Sequence, residues 1–438
     1  MMMPWFEAGA LLIGLVILFM GLTLPVAFAF MMVNMIGVIV FIGGDAGITQ
    51  LVANSAISVT NFALVPVPLF ILMGELFFHS GIAVKVFDVF DRLLGRIPGR
   101  LAYLTVGGGT VFAALSGSSM ANTALLGSTM LPEMVKRGYK PHVSMGPIIG
   151  TGGLAILIPP SGLAVLLGSL ASIDIGRLLI AGIIPGLGLA VLYVLVIAVS
   201  TVLDPKAAPH YPVEDTPWLM KLRLVVTNLL PMGFVIFMVV GLIIIGIATP
   251  TEAAAFGVLG VLIVAAGFRS LNRAIIWKSL LGTVKVTGMV FLIILGSSTF
   301  SQMLALSGAS SGMISWATTL DVSPLMILAV MFVILLVMGM LMESVSIMML
   351  TVPLFFPLAQ NMGFDLIWFG VLVMVSLEIG LATPPFGMGL FVMLGVNPSS
   401  DLIEVSLATL PYVGCAILLV ILLVIWPDIA LFLPNLMD

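Results

Sequence analysis

Residues 150–162 read Gly-Thr-Gly-Gly-Leu-Ala-Ile-Leu-Ile-Pro-Pro-Ser-Gly, and residues 380–387 read Gly-Leu-Ala-Thr-Pro-Pro-Phe-Gly. Pro159-Pro160 and Pro384-Pro385 are the only Pro-Pro pairs in the chain. Each lies inside an apolar run that otherwise reads as a membrane-spanning helix. Two successive prolines remove two backbone donors and clash with the preceding turn, so a helix cannot run through them. The carbonyls they free need a partner when water is excluded. A polar cavity or an ion is therefore expected at each break.

The surrounding composition sets the solvent. Of 438 residues, 61% are hydrophobic and 8% charged, with mean hydropathy +1.31. A soluble domain carries about 25% charged residues, so a polytopic all-α membrane protein is expected. The single cysteine, Cys415, excludes a disulfide within the chain and a cysteine-based metal site. The opening Met-Met-Met-Pro-Trp-Phe-Glu has no basic segment, so no cleavable signal peptide is expected. His79, His142 and His210 are too scattered to suggest a metal site. No P-loop or paired aspartates suggest an enzyme.

Apolar runs long enough to cross a bilayer fall at 7–22, 24–43, 62–80, 142–170, 176–203, 224–247, 251–268, 286–307, 365–396 and 402–433. Two further stretches, 101–135 and 322–360, are interrupted near their middles. Their breaks are Ser116-Gly117-Ser118-Ser119-Met120-Ala121-Asn122-Thr123 and Met342-Glu343-Ser344-Val345-Ser346. Half-length helices meeting at such tips suggest two re-entrant hairpins. The runs 142–170 and 365–396 are the two broken helices.

Basic residues give the sidedness. Lys85, Arg92, Arg96 and Arg100 precede the first hairpin, and Lys136, Arg137 and Lys140 follow it. By the positive-inside rule both its ends are cytoplasmic. After Lys285 there is no Lys or Arg, and Asp321 and Asp365 flank the second hairpin. The second hairpin is therefore expected to enter from the other side, with both termini outside the cytoplasm. Residues 83–98, with an apolar face and an opposite Lys/Asp/Arg face, read as a surface helix. Residues 270–282 read as its weaker counterpart.

A fixed shift of 225 residues superposes the Pro-Pro pairs, and also Gly21 on Gly246, Pro25 on Pro250, Pro132 on Pro357, Gly138 on Gly363 and Gly162 on Gly387. Ser119 falls on Ser344. Each half, 1–215 and 216–438, then holds five crossings and one hairpin. An odd number of crossings inverts the second half. This is an inverted-topology repeat of about ten to eleven transmembrane helices.

The breaks carry the candidate chemistry. Ser116, Ser118, Ser119, Asn122 and Thr123, with carbonyls from Gly150 to Gly153, form an oxygen set suited to Na⁺. A second set uses Ser344 and Ser346 with carbonyls from Gly380, Leu381, Ala382 and Thr383. Helix N-termini after each break can face an anion. Ser119, Asn122, Pro159, Pro160, Ser161, Thr383 and Pro384 are the candidate substrate contacts. Glu75, Glu343 and Glu378 lie inside predicted spans and are functional suspects. No intramembrane Lys or Arg is evident to grip a carboxylate.

Four stretches together resemble one family: Gly246-Ile-Ala-Thr-Pro-Thr-Glu-Ala-Ala-Ala255, Ser116-Gly-Ser-Ser-Met-Ala-Asn-Thr123, Ile158-Pro-Pro-Ser161 and Leu381-Ala-Thr-Pro-Pro-Phe-Gly387. The chain resembles the large membrane subunit of tripartite ATP-independent periplasmic (TRAP) transporters over residues 7–433. The resemblance implies a Na⁺-driven elevator transporter in a bacterial inner membrane. It also implies a separate small four-helix membrane partner and a periplasmic protein that delivers an organic acid anion such as a C4-dicarboxylate, sialic acid or another sugar acid. By motif it places one sodium site on the first tip with Gly150–Gly153, and another on the second tip with Ala382–Pro385. The alternative is a stand-alone ion-coupled anion carrier that needs no binding protein. Nucleic acid is not an expected partner.

Overall fold

The computed structural model describes residues 3–95, 97–209, 217–319 and 322–437. Arg96, His210, Asp321 and the boundary expected near residues 215–216 lie outside the described residues. The chain is all-helical. In order, the helices are α1 Trp5–Gly21, α2 Val26–Ile42, α3 Gly44–Val59, α4 Pro66–His79, α5 Ile82–Leu94, α6 Arg100–Ser116, α7 Ser119–Lys136, α8 Pro141–Leu157, α9 Gly162–Ala171 and α10 Ile175–Leu203. The second half holds α11 Trp218–Ile244, α12 Pro250–Gly267, α13 Arg273–Leu306, α14 Ala309–Thr319, α15 Pro324–Gly339, α16 Ser344–Asn361, α17 Leu366–Ala382, α18 Met388–Val396, α19 Leu402–Ile425 and α20 Asp428–Asn435.

Among the described residues, six helices are long and apolar enough to cross a membrane, or seven if the bent pair α8 and α9 counts as one span. Five more apolar helices are shorter: α1, α2, α4, α15 and α17. The shortness of α17 follows from the same proline chemistry that splits the first break, since Pro384-Pro385 stops it. Both Pro-Pro bonds are cis. The α8–α9 pair bends by 44° at residues 158–161. This is a polytopic membrane protein with several spans, one of them a bent pair among the described residues.

Element bounds recur at the shift found in the sequence. Adding 225 to the bounds of α7 (119 and 136) gives 344 and 361, the bounds of α16. Adding it to those of α8 (141 and 157) gives 366 and 382, the bounds of α17. Side-chain caps begin several helices: Ser118 accepts from the Ala121 amide, Ser161 from Ala164 and Asp365 from Ile367 and Trp368. Thr249 and Glu252 form a reciprocal capping box at the start of α12.

Two expectations change. Residues 270–282 are not a separate surface helix. Residues 273–282 are the first turns of α13, a continuous 34-residue helix capped by Asn272. No proline interrupts the stretch from 273 to 306, so nothing stops the helix. Residues 44–59, not read as a span, form α3 along the C-terminal part of α13. There Ser58 Oγ lies 2.5 Å from Ser298 Oγ, and the Asn54 amide donates to Gln302. The surface helix expected at 83–98 is α5, which stops at Gly95 in the left-handed region (φ 60°). It packs Phe87 and Phe90 against Gly108 and Gly107 of α6.

Candidate functional site

The interrupted stretches fold as helix–turn–helix units. α6 and α7 meet at Gly117-Ser118, where Gly117 adopts φ 60°. α15 and α16 meet at residues 340–343. Both tips line one cavity of about 390 Å³. Ser116 to Ala121 enter it from the first tip, and Glu343, Ser344 and Val345 from the second. Gly162, Leu163 and Leu166 of α9 contribute the start of the helix after the first break. Leu381 of α17 reaches the cavity from the second break. The facing wall is α4, with Val67, Phe70, Gly74, Glu75 and His79, and the middle of α13, with Val286, Met289 and Val290.

The first tip is tied to the first broken helix by one side chain. Asn122 is fully buried. Its Nδ2 donates to the Gly109 carbonyl at 3.3 Å and to the Thr151 carbonyl at 2.9 Å. Its Oδ1 has no hydrogen-bond partner, and neither do the buried Ser119 Oγ and Thr151 Oγ1. Buried hydroxyl and amide oxygens are normally satisfied. Unsatisfied hard oxygens of this kind, without His or Cys, fit an alkali cation better than a transition metal. On α16, Ser346 Oγ is likewise buried without a partner.

The glycines of α8 serve packing in different directions. A methyl group on Gly152 would lie 2.0 Å from Thr123 Oγ1, so the first tip sits directly on this glycine. Gly150 instead faces Tyr193 and Tyr412, and Gly153 faces Glu378. All three lie within the continuous helix α8; the break begins at Ile158. Pro159 and Pro160 are buried, with the Pro160 carbonyl against Gly117. They and Ser161 support the tip without lining the cavity. At the second break, Ala382 ends α17 and Thr383 Oγ1 donates to the Ile379 carbonyl at 2.5 Å. Thr383, Pro384 and Pro385 also lie outside the cavity wall.

Three groups without a clear role in the sequence gain a place. Thr151 supplies an oxygen beside Asn122. Glu75 and His79, one turn apart on α4, are 3.2 Å from each other and both face the tips. Their pairing follows from i,i+4 spacing, but only the fold brings them to Ser116 and Glu343. Glu378 is buried away from the cavity and accepts a hydrogen bond from the Tyr193 hydroxyl at 2.7 Å. Its second oxygen has no partner.

Comparison with known proteins agrees with this architecture. Residues 13–429 match the family model of the tripartite ATP-independent periplasmic transporter, DctM component. The C4-dicarboxylate TRAP transporter large permease protein DctM of Pseudomonas aeruginosa is 34% identical over 377 residues, covering 86% of this chain and 87% of that protein. The ectoine TRAP transporter large permease protein TeaC of Halomonas elongata is 30% identical over 430 residues, covering 98% of each. Among solved structures, the YdaH transporter of Alcanivorax borkumensis superposes with a TM-score of 0.65 over 88% of this chain and 90% of that one. At 14% identity that likeness is one of fold. The chain belongs to the DctM component family of TRAP transporters, and is a multi-pass membrane permease rather than an enzyme.

Proposed function

We propose that this chain is the large membrane subunit of a Na⁺-coupled importer of an organic acid anion, working by an elevator mechanism. The observation that carries this reading is the single cavity lined by both tips and by the first turn of α9. One wall is formed by the two tips with the ends of α6, α7, α9, α16 and α17, and the opposite wall by α4 and α13. In the proposed cycle the first group moves as one body against the second and carries the cavity across the membrane. The two halves, 1–215 and 216–438, form an inverted repeat with two re-entrant hairpins; the recurrence of helix bounds at one shift supports this. The termini then face the periplasm, and the protein resides in a bacterial inner membrane.

Na⁺ is the coupling ion in this reading. The first site is Ser116, Ser118, Ser119, Asn122 and Thr123 with the α8 segment from Gly150 to Gly153, where Thr151 adds its side-chain hydroxyl. The unsatisfied oxygens on Ser119, Asn122 and Thr151 support it. The second joins Glu343, Ser344 and Ser346 to the backbone from Ala382 to Pro385. The partners are a small four-helix membrane subunit and a periplasmic binding protein, in keeping with a family described as a component of a tripartite system. Each net positive charge moved inward gains about 2.3 kcal/mol per 100 mV of membrane potential.

Reconstitution into proteoliposomes with both partners tests the proposal. Substrate uptake should follow an imposed inward Na⁺ gradient. Accumulation that is the same with K⁺ on both sides would overturn it.

A further inference from the structure

We propose that α5 and the turn between α12 and α13 bind the headgroup of an anionic phospholipid. This goes beyond the transport reading and concerns a different face of the molecule. One stripe of α13 sets the depth. Arg273, Trp277, Leu280 and Val284 follow one another at spacings of three and four residues, so they share one side of the helix. All four are exposed. The stripe runs from a cation through an indole ring to aliphatic side chains. A phospholipid presents its parts in the same order: phosphate, interface, acyl chain. Tryptophan prefers the membrane interface, which puts Arg273 at headgroup level and Leu280 and Val284 against hydrocarbon.

The cations around Arg273 gather from two parts of the chain. Lys85 Nζ of α5 stands 3.8 Å from the centre of the Phe268 ring, a cation–π contact. That contact holds Lys85 beside the turn that carries Arg269 and Arg273. Arg92 lies two turns further along the same side of α5. Arg269 adopts φ 54°, just past the end of α12, where glycine is the usual residue. An arginine at this position works against its own backbone preference. The patch has little negative charge to balance it. No Asp or Glu occurs between Glu252 and Asp321. On α5, Asp91 is paired with Arg100 at 2.9 Å, which leaves Asp88. Among the described residues, Lys85, Arg92, Arg269 and Arg273 have no ion-pair partner. Like charges gathered in this way repel unless an anion sits among them. At headgroup depth that anion is a lipid phosphate, and basic clusters beside a membrane-spanning helix attract anionic lipids. Choline and ethanolamine headgroups carry their own ammonium. A headgroup with net negative charge, such as that of phosphatidylglycerol, therefore fits the patch best.

The test uses the purified full chain in phosphatidylcholine nanodiscs with rising fractions of phosphatidylglycerol, followed by thermal unfolding. Phosphatidylglycerol should raise the melting temperature along a saturating curve. Lys85→Gln, Arg269→Gly and Arg273→Gln should each raise the fraction needed for half the effect by about fivefold, the ratio expected for one cation at an anionic surface. Arg269→Gly relieves the backbone at its position. In phosphatidylcholine alone it should melt no lower than wild type, so its weaker lipid response is not a folding defect. Lys206→Gln removes an exposed lysine outside the patch and should respond as wild type does. Absence of a phosphatidylglycerol effect on wild type, an undiminished effect in all three patch variants, or an equal loss in Lys206→Gln would overturn the proposal. So would a matching shift from inorganic phosphate in phosphatidylcholine alone, which would make the ligand a free anion instead of a lipid.

Discussion

Asn122 and Glu378 show how single buried polar groups set local energetics. Asn122 holds two carbonyls from two helices with one amide. Asn122→Ala leaves both without that donor, and an unsatisfied buried group costs about 1–3 kcal/mol. We expect Asn122→Ala to lower the melting temperature and to raise the Na⁺ concentration needed for half-maximal uptake, read by titrating both. An unchanged Na⁺ titration would remove Asn122 from the first site. Glu378 is a different case. Glu378→Gln keeps an oxygen for the Tyr193 hydroxyl, whereas Glu378→Ala orphans that hydroxyl beside Gly153. Thermal unfolding should find the alanine variant less stable than the glutamine variant by about 1–3 kcal/mol. The tip at residues 116–121 was legible in sequence because polar clusters are rare in apolar runs. The Thr151 hydroxyl and the pairing of Glu75 with His79 were not, since their significance depends on neighbours that only folding supplies.

At the scale of elements, breaks were easier to read than continuities. Pro-Pro acts through local sterics, so both broken helices could be read directly. α3 was missed because Thr49, Gln50, Asn54, Ser55 and Ser58 interrupt its apolar pattern; two of these polar residues instead pair with Ser298 and Gln302 of α13. Local composition cannot announce a partner some 240 residues away. The second half makes its own tight join. Gly339 of α15 and Gly380 of α17 touch backbone to backbone, and a methyl group on Gly380 would lie 2.6 Å from the Gly339 Cα. A backbone atom cannot rotate out of the way as a side chain can. Gly380→Ala should therefore destabilise by about 1–3 kcal/mol through overpacking. Gly395→Ala in α18, where nothing lies within 4 Å, should be neutral or stabilising by about 0.5–1 kcal/mol from helix propensity. Thermal unfolding of the two variants checks the contrast, and equal effects would refute the packing argument.

At the scale of the whole molecule, the loop before α8 is fastened to the end of α10. The Lys140 amide donates to the Ala207 carbonyl at 2.9 Å, and the Lys140 ammonium bonds the Asp204 carboxylate. That hydrogen bond holds the Asp204 carboxyl below its ordinary range. A depressed carboxylate stabilises the fold above its unfolded-state value, near about 3.9, and loses that contribution as pH falls through the lower folded value. Asp204→Asn should lower the melting temperature slightly at neutral pH, with the difference from wild type disappearing in strong acid; an offset independent of pH would count against the pairing. The meeting of α4 with the first tip has a larger consequence. A methyl group on Gly74 would stand 2.3 Å from the Ser116 carbonyl oxygen. In the proposed elevator cycle these surfaces part and rejoin in every turnover, and interlocked side chains would have to disengage each time. Bare backbone at Gly74 leaves nothing to disengage. In that proposed cycle, this residue serves as a bearing, governing how fast the machine cycles more than how tightly it holds its cargo.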